Sequence, residues 1–132
     1  MNKADKATEI VTMPRRFHSL RNISIFSLLE ATGYFELHDQ VSESDIRVAL
    51  LRDPECVQEW MQYCSDKRTS SGWYIRLNDE ELYEIGYFDI KTDHDTNRVQ
   101  YENAIDACAA FIKHEIESIR CGKDQATPRR VI

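Results

Sequence analysis

Two short runs, Trp73-Tyr74-Ile75-Arg76-Leu77 and Tyr83-Glu84-Ile85-Gly86-Tyr87-Phe88, constrain the fold of this chain more than any other feature in it. Both are rich in aromatic and β-branched residues and they flank a polar turn at residues 78–81, which predicts a β-hairpin. Register follows from the chemistry of pairing. With Leu77 opposite Tyr83, Ile75 meets Ile85 and Trp73 meets Tyr87 on one face, while Arg76 meets Glu84 on the other. A slip of one residue sets Ile75 against Glu84, so the first register is favoured. One face then holds Trp73, Tyr83 and Tyr87, and the other holds Tyr74 and Phe88. A hairpin alone is marginal in water, so this one must pack on something.

The expected cover is a long helix over residues 99–120. There Tyr101, Ala104, Ile105, Cys108, Ile112, Ile116 and Ile119 form an apolar stripe, thickened by Phe111. The front half also reads as helical. Asn22 or Ser24 caps a short helix through Ile25, Phe26, Leu28 and Leu29, which Gly33 stops. Ser42-Glu43-Ser44-Asp45 opens a second helix as a capping box, ahead of Ile46, Ala49 and Leu50. Asp53 and Pro54 start a third, in which Cys56, Val57, Trp60, Met61 and Cys64 share one face. The predicted class is α+β: N-terminal helices, a β-hairpin and a long C-terminal helix packed on it. A single domain over residues 16–121 is expected, between flexible ends at 1–15 and 122–132.

The longest apolar stretches, residues 107–112 and 23–29, fall short of the ~20 residues that cross a bilayer, and the first 13 residues lack the apolar centre of a secretory signal. None of the four cysteines forms a Cys-x-x-Cys pair. Cys56 and Cys64 on one helix stand about 12 Å apart along its axis, beyond disulfide reach. Cys56, Cys64 and Cys108 therefore read as buried apolar groups in a reducing cytosol, and Cys121 as the most exposed thiol.

Catalytic chemistry finds no foothold. His18, His38, His94 and His114 show no metal-ligand spacing. His114 falls off its helix's apolar stripe and reads as solvated. Asp93-His94-Asp95 lies in the polar stretch 91–98, expected as an exposed loop. Ser70 and Ser71 lack a nucleophile-elbow context, and the four glycines are too scattered for a phosphate loop. No catalytic residue, metal or cofactor is expected.

Charge is more informative. The net charge of −6 and pI near 5.2 argue against nucleic acid as a partner. That total conceals a bias: residues 36–66 hold eight acids against two bases, and residues 78–106 hold nine against two. Asp79, Glu80, Glu81 and Glu84 lie in and beside the hairpin turn. Asp89, Asp93 and Asp95 follow from the hairpin's far end, so the two groups need not share a surface. Acidic surfaces of this kind speed encounter with a basic partner. Aromatics beside them, with Trp73, Tyr74 and Tyr87 foremost, suit protein-binding anchors. The Lys67-Arg68 dipeptide complements the C-terminal end of the third helix.

Four stretches carry a family likeness: Trp60-Met61-Gln62-Tyr63-Cys64-Ser65-Asp66-Lys67-Arg68, Ser71-Gly72-Trp73-Tyr74-Ile75, Ile85-Gly86-Tyr87, and Ala107-Cys108-Ala109-Ala110-Phe111-Ile112 with Glu115-Ile116. Together they resemble the small bacterial immunity proteins of contact-dependent growth inhibition and related polymorphic toxin systems, over about residues 57–119. The resemblance implies a cytoplasmic, non-enzymatic inhibitor that binds one toxin domain, often a basic nuclease, and blocks its active site or substrate path. With the charge, the short apolar runs and the missing motifs, no cofactor, no nucleic-acid partner and no membrane are expected. The alternative is a small regulatory or adaptor protein of a phage or mobile element, self-associating through the helix over residues 99–120.

Overall fold

The computed structural model describes residues 3–19, 24–66, 72–89 and 91–130, and gives residues 3, 4, 18, 19, 66 and 122–130 as backbone alone. Asn22 and the Lys67-Arg68 pair lie outside the described residues. Along the chain come α1 (Lys3–Val11), α2 (Met13–Ser19), α3 (Ile25–Ala31), α4 (Tyr34–Leu37), α5 (Glu43–Arg52) and α6 (Glu55–Asp66). The strands β1 (Gly72–Leu77), β2 (Tyr83–Asp89) and β3 (His94–Tyr101) follow, and α7 (Ala104–Arg130) closes the chain. The α+β class expected from the sequence is the class found.

Local chemistry accounts for the helix boundaries. Ser24 Oγ accepts from the Ser27 N–H at 3.0 Å and starts α3. Gly33, at φ 84°, takes the left-handed turn between α3 and α4 that a side chain would resist. Ser42 and Asp45 form a full capping box: Ser42 Oγ accepts from the Asp45 N–H at 3.1 Å, and Asp45 Oδ2 accepts from the Ser42 N–H at 2.9 Å. Asn103 Oδ1 accepts from the Ile105 N–H at 2.7 Å and begins α7.

The sheet is antiparallel with order β1-β2-β3. Its first pair has the expected register, Leu77 with Tyr83, Ile75 with Ile85, Trp73 with Tyr87 and Arg76 with Glu84. The second pair corrects two expectations. Residues 94–98 are not a loop, and residues 99–101 are not helical; they form β3. Nearly every side chain from His94 to Gln100 is exposed, so backbone pairing with β2 makes this edge strand, and no apolar alternation announces it. A bulge between Ile85 and Tyr87, with Asn97 at φ 56°, twists that edge and makes it a poor template for another strand.

The N-terminal end also differs from expectation. In place of a tail over residues 1–15, α1 and α2 bury Ala7, Ile10, Val11 and Met13 completely or nearly so. Ala7, Ile10 and Val11 have the i, i+3, i+4 spacing of a helix face, hidden among the charges of Lys3, Asp5, Lys6 and Glu9. Trp60 of α6 locks the join by donating its indole N–H to the Val11 carbonyl at 2.9 Å. At the other end, the backbone of α7 continues through residues 122–130, where a tail was expected.

The core is built around α7. Residues 107–112 are all buried, so this stretch of the helix is enclosed on every side rather than along one stripe. It packs on α5 and α6 and against all three strands. Trp60 meets Phe111 edge-on at 6.1 Å and Tyr63 at 5.4 Å. Tyr63 in turn donates to the buried Glu115 carboxylate at 2.7 Å. Cys56, Cys64 and Cys108 are buried and Cys121 is half-buried, the order expected. Burial pushes the Cys56 thiol up to about 12, which keeps it protonated and inert.

Candidate protein-docking surface

The turn from β1 to β2 is held by one side chain. Asn78 Oδ1 accepts from the Glu80 N–H at 2.9 Å and the Leu82 N–H at 3.1 Å, while the Asn78 N–H donates to the Leu82 carbonyl at 2.9 Å. Glu81 closes the turn with φ 63°. Asp79, Glu80 and Glu81 are thus presented to solvent on an ordered loop, and among the described residues none of them forms an ion pair. Tyr101 pairs with Tyr83, so Glu102 emerges at the same end of the sheet. Four exposed carboxylates gather there.

The opposite end carries the other group. Asp89 is half-buried and caps its own turn, its Oδ1 accepting from the Lys91 N–H at 2.9 Å. Asp93 is exposed at φ 59°. The two acidic groups are held apart by the length of the sheet.

Between them, on the face away from α7, lies a polar network. Glu84 is 4% exposed, and its Oε2 accepts from Arg76 Nη2 at 2.7 Å, Arg76 Nε at 3.1 Å and the Tyr74 hydroxyl at 3.0 Å. Burial works to raise the Glu84 pKa, but the hydrogen bonds from Arg76 and Tyr74 outweigh it and hold the carboxyl below its ordinary value. Asp95 Oδ2, 3.2 Å from the same hydroxyl, shares its one proton with Glu84, and the Arg76 guanidinium lies over the Tyr74 ring at 5.1 Å. Burial, then the Glu84 carboxylate, push the Tyr74 hydroxyl up, so it serves as a donor. Glu84 is therefore part of the sheet's own architecture, with Asp95 joined to it through Tyr74.

The aromatic candidates divide between the two faces. Tyr74 belongs to the open face. Trp73 and Tyr87 face α7, where they meet edge-on at 5.6 Å, and Trp73 stacks flat on His114 at 4.0 Å. His114 is exposed, as expected, and the stack on Trp73 is an added contact. Burial holds its pKa below the ordinary value, opposed by Glu43. Sequence reasoning missed this partnership, which needed the helix to cross the sheet at one angle.

A groove of about 380 Å³ opens where the end of α6 meets β1. Met61, Cys64, Trp73 and Phe88 supply apolar walls, and Tyr74, Arg76 and Asp95 line it with polar groups. The edge of β1 is partly shielded here, because the Ile75 N–H points to Cys64 Sγ at 3.4 Å. Nothing in the sequence links Met61 and Cys64 to Asp95; only the packing of α6 against the sheet does so.

Among the described residues, no group of three or more His, Cys, Asp or Glu side chains is placed to hold a metal ion, and no helix is long and apolar enough to cross a membrane. Compared with known proteins, the chain matches no family model, no curated sequence and no solved structure.

Proposed function

We propose that this protein is a non-enzymatic immunity protein, acting in the bacterial cytoplasm, that binds a basic toxin domain and occludes its active site or substrate surface. The toxin is proposed to be a nuclease, whose own substrate is an acidic polymer that a carboxylate-rich surface can mimic. The observation that carries this reading is the rigid turn at Asp79, Glu80 and Glu81, joined at the same sheet end by Glu102. Clustered, exposed charges, without ion pairs among the described residues, steer encounter with a surface of opposite sign. The adaptor reading has less to work with, because Cys108, Phe111, Ile112 and Ile116 of the α7 stripe are buried inside the fold.

Coexpression with the toxin encoded beside this chain tests the proposal. A stable complex and protection of the cell are expected; a neighbour that is neither bound nor neutralised overturns it. Association should slow as salt is raised, and Lys at all three of Asp79, Glu80 and Glu81 should slow it at least about tenfold at low salt. A rate indifferent to both would remove the electrostatic part of the proposal.

A further inference from the structure

The groove between α6 and the open face of the sheet has a charge imbalance built into it. Two carboxylates, Glu84 and Asp95, share one guanidinium, Arg76. Glu84 takes both close contacts, at 2.7 and 3.1 Å, and Asp95 is left 3.8 Å from Arg76 Nη2. Asp95 Oδ2 shares the single Tyr74 hydroxyl proton with Glu84, while among the described residues Oδ1 has no donor. Among the described residues, the carboxylate therefore stands at a groove with spare acceptor capacity and a charge that is incompletely matched.

Beside Asp95, Arg76, Tyr74 and Ser65, the groove has apolar walls. Met61 and Phe88 offer a slot for a hydrocarbon stem or a flat group, and the volume of about 380 Å³ lies within the roughly 300–1,000 Å³ of small-ligand clefts. A groove with apolar walls and a carboxylate in its lining suits a long side chain with a cationic head. A guanidinium matches better than an ammonium, since it presents paired donors to a carboxylate and its plane packs on aromatic rings.

We propose that this groove is a receptor for an arginine side chain of the partner protein, with Asp95 Oδ1 as acceptor and Met61 and Phe88 flanking the stem. The inference rests on the reading of the partner as a basic protein and adds to it a specific anchoring point, distinct from the acidic turn.

The full-length, isotope-labelled protein should be titrated with N-acetyl-arginine amide, and separately with its neutral isostere N-acetyl-citrulline amide. Saturable NMR shifts at Trp73, Ile75, Phe88 and Asp95 are expected in the millimolar range with the arginine probe. They should be at least about fivefold weaker with citrulline, which lacks the charge. Asp95→Asn should abolish the preference, and Met61→Arg, which supplies a guanidinium from within, should block the site even if Asp95→Asn fails to fold. Equal response to both probes, no saturation, or shifts confined to residues 79–81 would overturn the proposal.

The complex with the neighbouring toxin provides the second arm. Asp95→Asn should weaken it about 10–100-fold, the usual loss of a charged hydrogen bond. Undiminished binding by both variants removes the groove from the interface while the immunity reading stands. Arginine-selective binding without any toxin complex removes the immunity reading while the cation site stands.

Discussion

Tyr74 lies across Gly86, its partner on the neighbouring strand, so closely that a Cβ at Gly86 would stand 2.6 Å from the Tyr74 hydroxyl oxygen and 2.8 Å from the ring carbon bearing it. The glycine leaves the floor on which the ring rests, and the ring covers backbone that would otherwise be open to water. This contact aims the hydroxyl at Glu84 and Asp95 together. Gly86→Ala should therefore destabilise the fold by about 1–3 kcal/mol through overpacking, measured by urea unfolding. In a Tyr74→Ala background the same change should lose most of its effect. An equal loss in both backgrounds would place the strain elsewhere.

Glu84 should make the protein acid-sensitive in a definable window. Its folded pKa lies below the ordinary value, so the unfolded chain binds the proton more readily. The stability it contributes is fully present above the unfolded value of about 4.3 and is lost as pH falls through the lower folded value. Glu84→Gln should cost about 1–2 kcal/mol at neutral pH, limited by the exposure of Arg76, and should flatten the decline below about pH 4.5. Parallel acid profiles for the variant and the parent would count against this assignment.

The Trp73–His114 stack predicts a second, milder pH response. The folded His114 pKa is below its ordinary value, so folding favours the neutral ring. Stability should be complete above about pH 6.5 and decline as pH falls below it. His114→Gln should remove the part of the melting-temperature drop between about pH 7 and pH 5 that belongs to this ring. An NMR titration placing His114 above the ordinary histidine value would reverse the sign and defeat the prediction.

Trp60 ties the N-terminal helices to the core, donating to the Val11 carbonyl while fully buried. Trp60→Phe keeps an aromatic ring but orphans that carbonyl, and should cost about 1–3 kcal/mol. Removing residues 1–12, which takes away Ala7, Ile10 and Val11, should lower the melting temperature far more than trimming a frayed end would. A truncated chain as stable as the parent would restore the view of this segment as a tail.

Lys113 should prove structural. Its Nζ donates to the Val41 carbonyl at 2.7 Å, the Tyr34 hydroxyl at 2.8 Å and the His38 carbonyl at 3.1 Å, pinning α7 to the turn after α4. Lys113→Met preserves the stem and removes the donors, so a loss of about 1–3 kcal/mol in chemical unfolding is expected. No change in midpoint would mean that water replaces the amine without penalty.

Wherever neighbouring residues decide the outcome, the order of amino acids was sufficient. The capping box at Ser42 and Asp45, the left-handed Gly33, and the register of β1 on β2 could all be read from spacing and side-chain chemistry, because each depends on groups a few residues apart or on a face that a slip would invert. The exposed acids of the turn were equally legible. Tertiary structure decided the rest. β3 carries no apolar pattern because its pairing energy resides in backbone hydrogen bonds to β2, and α1 hides three buried residues among charges that only the packed core sorts to one side. Glu84 met Arg76 through the legible register of β1 on β2, whereas Trp73 and His114 acquired each other by tertiary packing alone. Their surroundings are set by how α6 and α7 cross the sheet, a long-range arrangement that fixes distances between residues remote in the chain and leaves no local trace in the residues themselves.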